Sequence, residues 1–357
     1  MLSNLYTIII MAFTQQDTEC MSLALKLSEL GRASVGANPM VGCVITRDDK
    51  IIAEDFHRQY GEGHAEINAL EQINHEANNT SLYVTLEPCS HHGKTPPCAE
   101  ALIKAGVKKV IIAMLDPNPL VSGRGVKILQ DANIQVEVGL LEDEASELNR
   151  GFVKRMRTGM PFVTSKIAMS LDGRTAMKNG ESKWITSDAA RKDVHKLRSE
   201  NQAIMTGSGT IINDNPMMTV RLNEIDSNPL RVVIDSNNLI TDKSLNIFSS
   251  NADTLVLNSD NSKTLSNGKL DLQSALTKLG EMGVNNLLLE AGSGLNGAML
   301  EAGLVDEFII YTAPLILGND ARPMIDIPLK TMSEKIKLSI IDIRHVGTDI
   351  KIRATLK

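Results

Sequence analysis

Short apolar runs alternate twice along this chain with stretches whose apolar residues recur at helical spacing, and that alternation restricts it to α/β architectures. The first series opens with a helix over Asp17 to Leu30, stopped by Gly31, and a hairpin of strands, Val41 to Thr46 and Lys50 to Phe56. Then come a helix over Ala65 to Ile73, a strand Ser81 to Leu86, a helix Ala99 to Ala105, the strand Val110 to Met114, a helix Arg124 to Ala132 and the strand Ile134 to Val138. Together they predict an α/β/α layered domain with a largely parallel sheet, closed by a charged helix from Leu141 to Arg157. Gly159-Met160-Pro161 punctuates the chain before the alternation resumes. The second series has strands Phe162 to Ala168, Ala203 to Thr206, Leu230 to Asp235 and Leu287 to Glu290, with helices Asp188 to Arg198, Leu272 to Met282 and Ala298 to Ala302. Three last strands, Glu307 to Thr312, Ile336 to Ile343 and Asp349 to Leu356, predict an antiparallel edge on a mixed sheet. Length agrees with two domains of about 150 residues or more, expected over 15–158 and 159–357, with 1–14 as a weakly ordered extension.

Composition narrows the function. Aromatic residues make up 3%, and 37 basic against 43 acidic residues leave a charge of −6. Both facts disfavour a nucleic-acid partner, which would call for stacking rings and a basic face. Four cysteines are too few for a disulfide framework in 357 residues and indicate a reduced, cytoplasmic setting. The apolar stretch Leu5 to Met11 has no basic residue before it and is too short to span a bilayer, so no membrane partner is expected.

The sharpest chemistry is His64-Ala65-Glu66 followed by Pro88-Cys89 and then Cys98. One imidazole and two thiolates suit a tetrahedral zinc with its fourth position open, the pattern of a catalytic site. Glu66, adjacent to the ligands without being one, is placed to shuttle a proton. Cys20, in a helix, and Cys43, on an apolar strand, read as packing residues.

This arrangement resembles the zinc-dependent cytidine/deoxycytidylate deaminase superfamily, with eight residues between the cysteines instead of the usual two. The longer string Val84-Thr85-Leu86-Glu87-Pro88-Cys89-Ser90-His91-His92-Gly93-Lys94-Thr95-Pro96-Pro97-Cys98 is similar to the deaminase half of the bifunctional riboflavin-biosynthesis deaminase/reductase family, as are Asn38-Pro39-Met40-Val41-Gly42 and Asp116-Pro117-Asn118-Pro119. The resemblance implies a cytidine-deaminase-like fold and one zinc per chain. It also implies a diaminopyrimidinone substrate with a phosphoribosylamino arm, Asn38 meeting the pyrimidine and His91 and Lys94 meeting the ribose phosphate.

In the second half, Gly292-Ser293-Gly294-Leu295-Asn296-Gly297 is a Gly-x-Gly-x-x-Gly run between a strand and a helix, able to cradle a phosphate. It lies too late in its domain for a Rossmann unit. Ser165 to Ala176, Gly180 to Thr186, and Asp214-Asn215-Pro216 with Arg221 resemble the reductase half of the same family. That likeness implies a dihydrofolate-reductase-like fold using NADPH. Ala168, Trp184, Thr210, Asp214, Ser236 and Gly292 through Ala298 would contact the cofactor. Ser182, Arg198, Met218, Arg221 and Glu290 would face the substrate, the two arginines gripping its phosphate. The expected protein is a homo-oligomeric, two-step enzyme of riboflavin synthesis. The alternative is a nucleic-acid-editing zinc deaminase with an accessory binding domain, which shares the metal motif but not the composition.

Overall fold

A computed structural model describes residues 13–91, 96–222 and 228–357. The chain divides into two compact units, Met1–Arg157 and Thr158–Lys357. Of the expected N-terminal extension, only Phe13 and Thr14 fall within the described residues, and Thr14 is an ordered cap. Its hydroxyl accepts the Asp17 N–H at 3.1 Å while the Asp17 carboxylate accepts the Thr14 N–H at 2.9 Å, so α1 (Gln15–Ser28) begins two residues before its apolar pattern does.

The first unit continues with β1 (Gly42–Arg47), β2 (Lys50–Phe56), α2 (Ala65–Glu71), β3 (Ser81–Leu86), α3 (Cys98–Ala105), β4 (Lys109–Met114), α4 (Arg124–Asp131) and β5 (Gln135–Val138), then α5 (Glu142–Leu148) and α6 (Arg150–Thr158). Strand order is β2-β1-β3-β4-β5. Only β3, β4 and β5 run parallel; β1 is antiparallel to both its neighbours, so the sheet is mixed and not largely parallel. Apolar runs report burial, and burial is the same for either strand direction. Leu82, Val84, Ile111 and Ile112 fill the core with Leu102 and Leu129 from the helices, each such side chain contributing about 1.5–3 kcal/mol by leaving water.

The single closing helix expected over 141–157 is two helices, broken at Asn149. Its amide clamps a distant backbone: Oδ1 accepts the Met40 N–H at 2.8 Å and Nδ2 donates to the Met40 carbonyl at 2.9 Å. Arg155 donates to the Ala37 carbonyl at 2.9 Å. The loop 37–40 is thereby tied at one end to α6 and at the other to the break between α5 and α6.

The second unit contains β6 (Phe162–Ser170), β7 (Arg174–Ala176), α7 (Asp188–Ser199), β8 (Ala203–Gly207), α8 (Ser208–Asp214), β9 (Leu230–Asp235), β10 (Thr254–Asn258), α9 (Leu272–Glu281), β11 (Asn286–Leu289), α10 (Ser293–Glu301), β12 (Glu307–Ala313), β13 (Arg322–Pro323), β14 (Leu338–Val346) and β15 (Asp349–Leu356). Its main sheet runs β10-β9-β8-β11-β6-β12-β15-β14. The pairings from β10 to β12 are parallel, and β15 and β14 add the antiparallel edge. The connections that follow β6, β8, β9 and β11 therefore all leave from one edge of the sheet, where open α/β sheets bind ligands.

Candidate active sites

In the first unit, three short segments converge. His64 is the N-cap residue of α2 with extended backbone, and its ring makes no capping bond. Cys89 follows β3, and Cys98 is the first residue of α3. The His64 Nδ1 lies 3.2 Å from Cys98 Sγ and 3.6 Å from Cys89 Sγ, and the three ligand atoms all fall within 4.8 Å of one another. Tetrahedral zinc with one nitrogen and two sulfur ligands places such atoms about 3.6 Å apart, so this donor set fits the metal. The Cys98 backbone N–H also donates to Cys89 Sγ at 3.2 Å. A hydrogen bond from the Cys98 thiol, assisted by His64, holds Cys89 well below the ordinary thiol range, and the same contact pushes Cys98 up. Glu66 is buried in the first turn of α2, and burial raises its carboxyl to about 7, with the His64 charge opposing. A carboxyl near neutrality can both take and give a proton.

Around this centre, Glu87, Pro88, Cys89, Ser90, His91, Asp116 and Val121 line a small hollow. His91 thus shares a wall with a candidate ligand, while Lys94 lies outside the described residues. Glu87 was not singled out by sequence reasoning. Its buried carboxylate accepts four backbone N–H groups, from Asp116 at 3.1 Å, Gly123 at 2.9 Å, Gly125 at 2.8 Å and Val126 at 3.3 Å. An acid ending an apolar strand was the available signal. Asn38 directs its amide at His57, Nδ2 to Nε2 3.0 Å, and the His57 Nδ1 meets the Gly63 carbonyl at 3.0 Å. Met40 is buried, held through its backbone by Asn149.

In the second unit, Glu290 leaves the end of β11 beside Lys166 of β6 and Arg198 of α7. Arg198 Nε donates to Oε1 at 2.6 Å and Nη2 to Oε2 at 3.0 Å, a two-point grip, and Nη1 donates to the Thr219 carbonyl at 2.9 Å. Lys166 Nζ approaches Oε2 at 3.1 Å. Burial alone would raise the Glu290 carboxyl, but Arg198 and Lys166 outweigh it and hold it well below the usual carboxylate range. Arg198 and Arg221 were expected to act alike on a phosphate; here the fork of Arg198 is directed at Glu290, and Arg221 remains exposed. Lys166 and His195 escaped the sequence reading. Burial and the Arg198 and Arg221 charges lower His195 to about 4, and its Nδ1 is buried with no partner among the described residues.

Most of the residues expected at the cofactor lie on the connections after the parallel strands, and Ala168 lies near the end of β6. Thr210 and Asp214 sit on α8 after β8, Ser236 follows β9, Ala168 is on β6, and the glycine run opens α10 after β11. Among the described residues a Cβ at Gly292 or Gly294 would meet nothing within 4 Å, which leaves the space over the first turn of α10 open to a phosphate. Leu295 packs 3.7 Å from a Cβ built at Gly207, while Ser293 and Ala298 are half-buried in the same helix. Asn296 and Gly297 turn inward. The Asn296 amide joins Ser165 Oγ at 2.8 Å to the Ala291 carbonyl at 2.7 Å, and Gly297 admits the Asp326 carbonyl against the helix. Trp184 is exposed, with the Arg191 guanidinium 4.4 Å from its ring centre. Ser182 precedes it on the same connection, half-buried, and Met218 is buried at φ 52° beside Thr219.

Comparison with known proteins matches both halves of the chain. The profile of the cytidine and deoxycytidylate deaminase zinc-binding region matches residues 14–114, and that of the RibD C-terminal domain matches 161–352. Riboflavin biosynthesis protein RibD of Escherichia coli K12 is 45% identical over 359 residues, covering 94% of this chain and 98% of that protein. The structure of Acinetobacter baumannii RibD superposes with a TM-score of 0.89 at 42% identity, covering 96% and 99% of the two chains. A diaminohydroxyphosphoribosylaminopyrimidine deaminase/5-amino-6-(5-phosphoribosylamino)uracil reductase from Thermotoga maritima superposes at 0.87 with 33% identity and the same coverage. Fold and site define a bifunctional enzyme, a zinc-binding deaminase of cytidine-deaminase-like fold joined to a dihydrofolate-reductase-like reductase. Its cofactors are zinc for the first activity and NADPH for the second. The chain belongs to the RibD family of riboflavin-biosynthesis deaminase/reductases. Among the described residues no helix is long and apolar enough to cross a membrane.

Proposed function

We propose that residues 15–158 convert 2,5-diamino-6-(5-phosphoribosylamino)pyrimidin-4(3H)-one to 5-amino-6-(5-phosphoribosylamino)uracil, and that 159–357 reduce the ribosyl arm of that product to the ribitylamino phosphate. The observation that carries the reading is the convergence of His64, Cys89 and Cys98 beside a buried Glu66, in one chain with the Lys166, Arg198 and Glu290 cluster.

His64, Cys89 and Cys98 would hold the zinc, which when bound supplies a Lewis acid able to make water nucleophilic at neutral pH. Glu66 would take one proton of that water on a carboxylate oxygen as the water oxygen bonds to the amine-bearing ring carbon, pass it to the adjacent ring nitrogen, and then carry the second water proton to the amine, whose C–N bond breaks to release ammonia. In the second half NADPH supplies the hydride, received at C1′ of the opened ribose imine. Lys166, Arg198 and Glu290 form a fixed polar floor for the ribosyl arm, with two cations against one anion. That excess of positive charge, with Arg221 at its exposed rim, favours a phosphorylated substrate. The remaining cofactor contacts are assigned to Ala168, Trp184, Thr210, Asp214, Ser236 and 292–298, on the strand-end connections described above.

Two further features belong to the reading. All four cysteines are free, in keeping with a cytoplasmic protein. Edge strand β14 exposes Leu338, Ile340, Ile341 and Ile343, an apolar edge of the kind that pairs with a second copy, supporting a homo-oligomer. Mass spectrometry of the product from the diaminopyrimidine phosphate tests the whole. Without NADPH the amine should be exchanged for oxygen; with it, two hydrogens should be added as well. A product unchanged in either arm removes that half of the proposal.

A further inference from the structure

His57 lies in none of the motifs, yet it touches both the metal centre and the loop of Asn38. Its ring is buried, packs edge-on against His64 with centroids 5.4 Å apart at 84°, and has both nitrogens engaged. The Gly63 carbonyl facing Nδ1 can only accept, so Nδ1 carries the proton. In the neutral ring Nε2 is then an acceptor, and the group 3.0 Å away on Asn38 must be its donor, Nδ2. The orientation of the Asn38 amide follows from this chain of donors, with the oxygen turned away from His57. Among the described residues Asn38 Oδ1 has no hydrogen-bond partner.

We propose that His57 is a positioning residue that locks the Asn38 amide with its oxygen free for substrate, so that the deaminase site selects a pyrimidine edge offering an N–H donor. The proposal rests on the reading of Asn38 as the pyrimidine contact. A diaminopyrimidinone presents amino and ring N–H groups that match an acceptor; with the amide reversed, the same position would present N–H against N–H. Gly63 precedes the ligand His64, so one backbone carbonyl sets the His57 tautomer next to the metal and the His57 ring sets the amide.

A double-mutant cycle in the full-length, zinc-loaded protein decides it. His57→Ala should raise KM for the diaminopyrimidine phosphate about tenfold, with one zinc per chain retained and NADPH-dependent reduction reporting a folded chain. His57→Gln, which keeps an acceptor, should recover most of that loss. Combined with Asn38→Ala, His57→Ala should add less than about a further twofold, because it acts through the residue already removed. Full additivity, or loss of zinc in His57→Ala, overturns the proposal. A raised KM in Asn38→Ala with none in His57→Ala overturns it while leaving the Asn38 reading in place; no change in Asn38→Ala overturns both. Should the His57 variants not fold, 15N resonances of the unmodified protein still decide, since a proton on Nε2 instead of Nδ1 of His57 overturns the assignment.

Discussion

A carboxylate as deeply buried as Glu290 is tolerated because Arg198 and Lys166 occupy both its oxygens. Glu290→Gln would leave those two cations buried without their counter-charge, a change that costs about 3–5 kcal/mol in comparable pairs. Urea unfolding should show that loss in the second unit, together with failure of reduction. The pH dependence carries a sign. Glu290 has a lower pKa folded than unfolded, so its contribution is complete above its ordinary 4.5 and disappears as pH falls through the folded value. His195, a base held at about 4 instead of 6.5, also costs stability over that interval as pH falls, because only the unfolded chain takes the proton. Glu290→Gln should flatten the most acidic part of the stability curve and leave the fall between 6.5 and 4 in place. For Glu66→Gln we expect deamination slower by about 10²–10⁴-fold, with zinc content and reduction unaltered; separate assays of the two steps, showing normal deamination, would remove Glu66 from its role. At this scale His64, Cys89 and Cys98 were legible because His and Cys are scarce and bind metals, and Glu66 because it stands two residues after His64. His57 and Lys166 were not, since a lone His or Lys acquires meaning only from partners the fold supplies.

Gly125 shows how one element depends on another. A Cβ there would lie 2.1 Å from the Pro88 carbonyl, one residue before Cys89, and 3.2 Å from Glu87. The first turn of α4 must therefore approach the ligand-bearing segment closer than any side chain permits, and Glu87 fastens it there through the Gly125 and Val126 N–H groups. Gly125→Ala should push Pro88 and Cys89 aside and weaken zinc binding by about tenfold or more, read as zinc retained against a competing chelator. Periodicity located most elements but not their direction or continuity. β1 looks the same parallel or antiparallel, and the break between α5 and α6 is marked in the sequence only by Asn149 and by Gly151 two residues on, with nothing local to show that Asn149 reaches Met40. β10 and α8 are short, and β10 lies at a sheet edge with a weak apolar pattern. The glycine run of 292–297 was visible as a phosphate loop, whereas the inward turn of Asn296 depends on Ser165 from another strand.

For the whole molecule, β14 matters because it presents a row of apolar side chains to water. Ile340, Ile341 and Ile343 are each more than half exposed on the outermost strand of the second unit. With the interface proposed above, the unmodified chain should sediment as an oligomer and an Ile340→Lys, Ile343→Lys double variant as a monomer, since charge on an edge strand blocks pairing; an unchanged sedimentation coefficient would place the interface elsewhere. The loop that carries Asn38 has a different consequence, one of timing. It is anchored at Ala37 and Met40 to Arg155 and Asn149, residues made more than a hundred peptide bonds later. On the ribosome, His64, Cys89 and Cys98 emerge well before those anchors, so a nascent chain can gather its metal ligands while Asn38 still lacks its support. The deaminase pocket is finished only when α6 has left the exit tunnel, after synthesis of the reductase half has already begun.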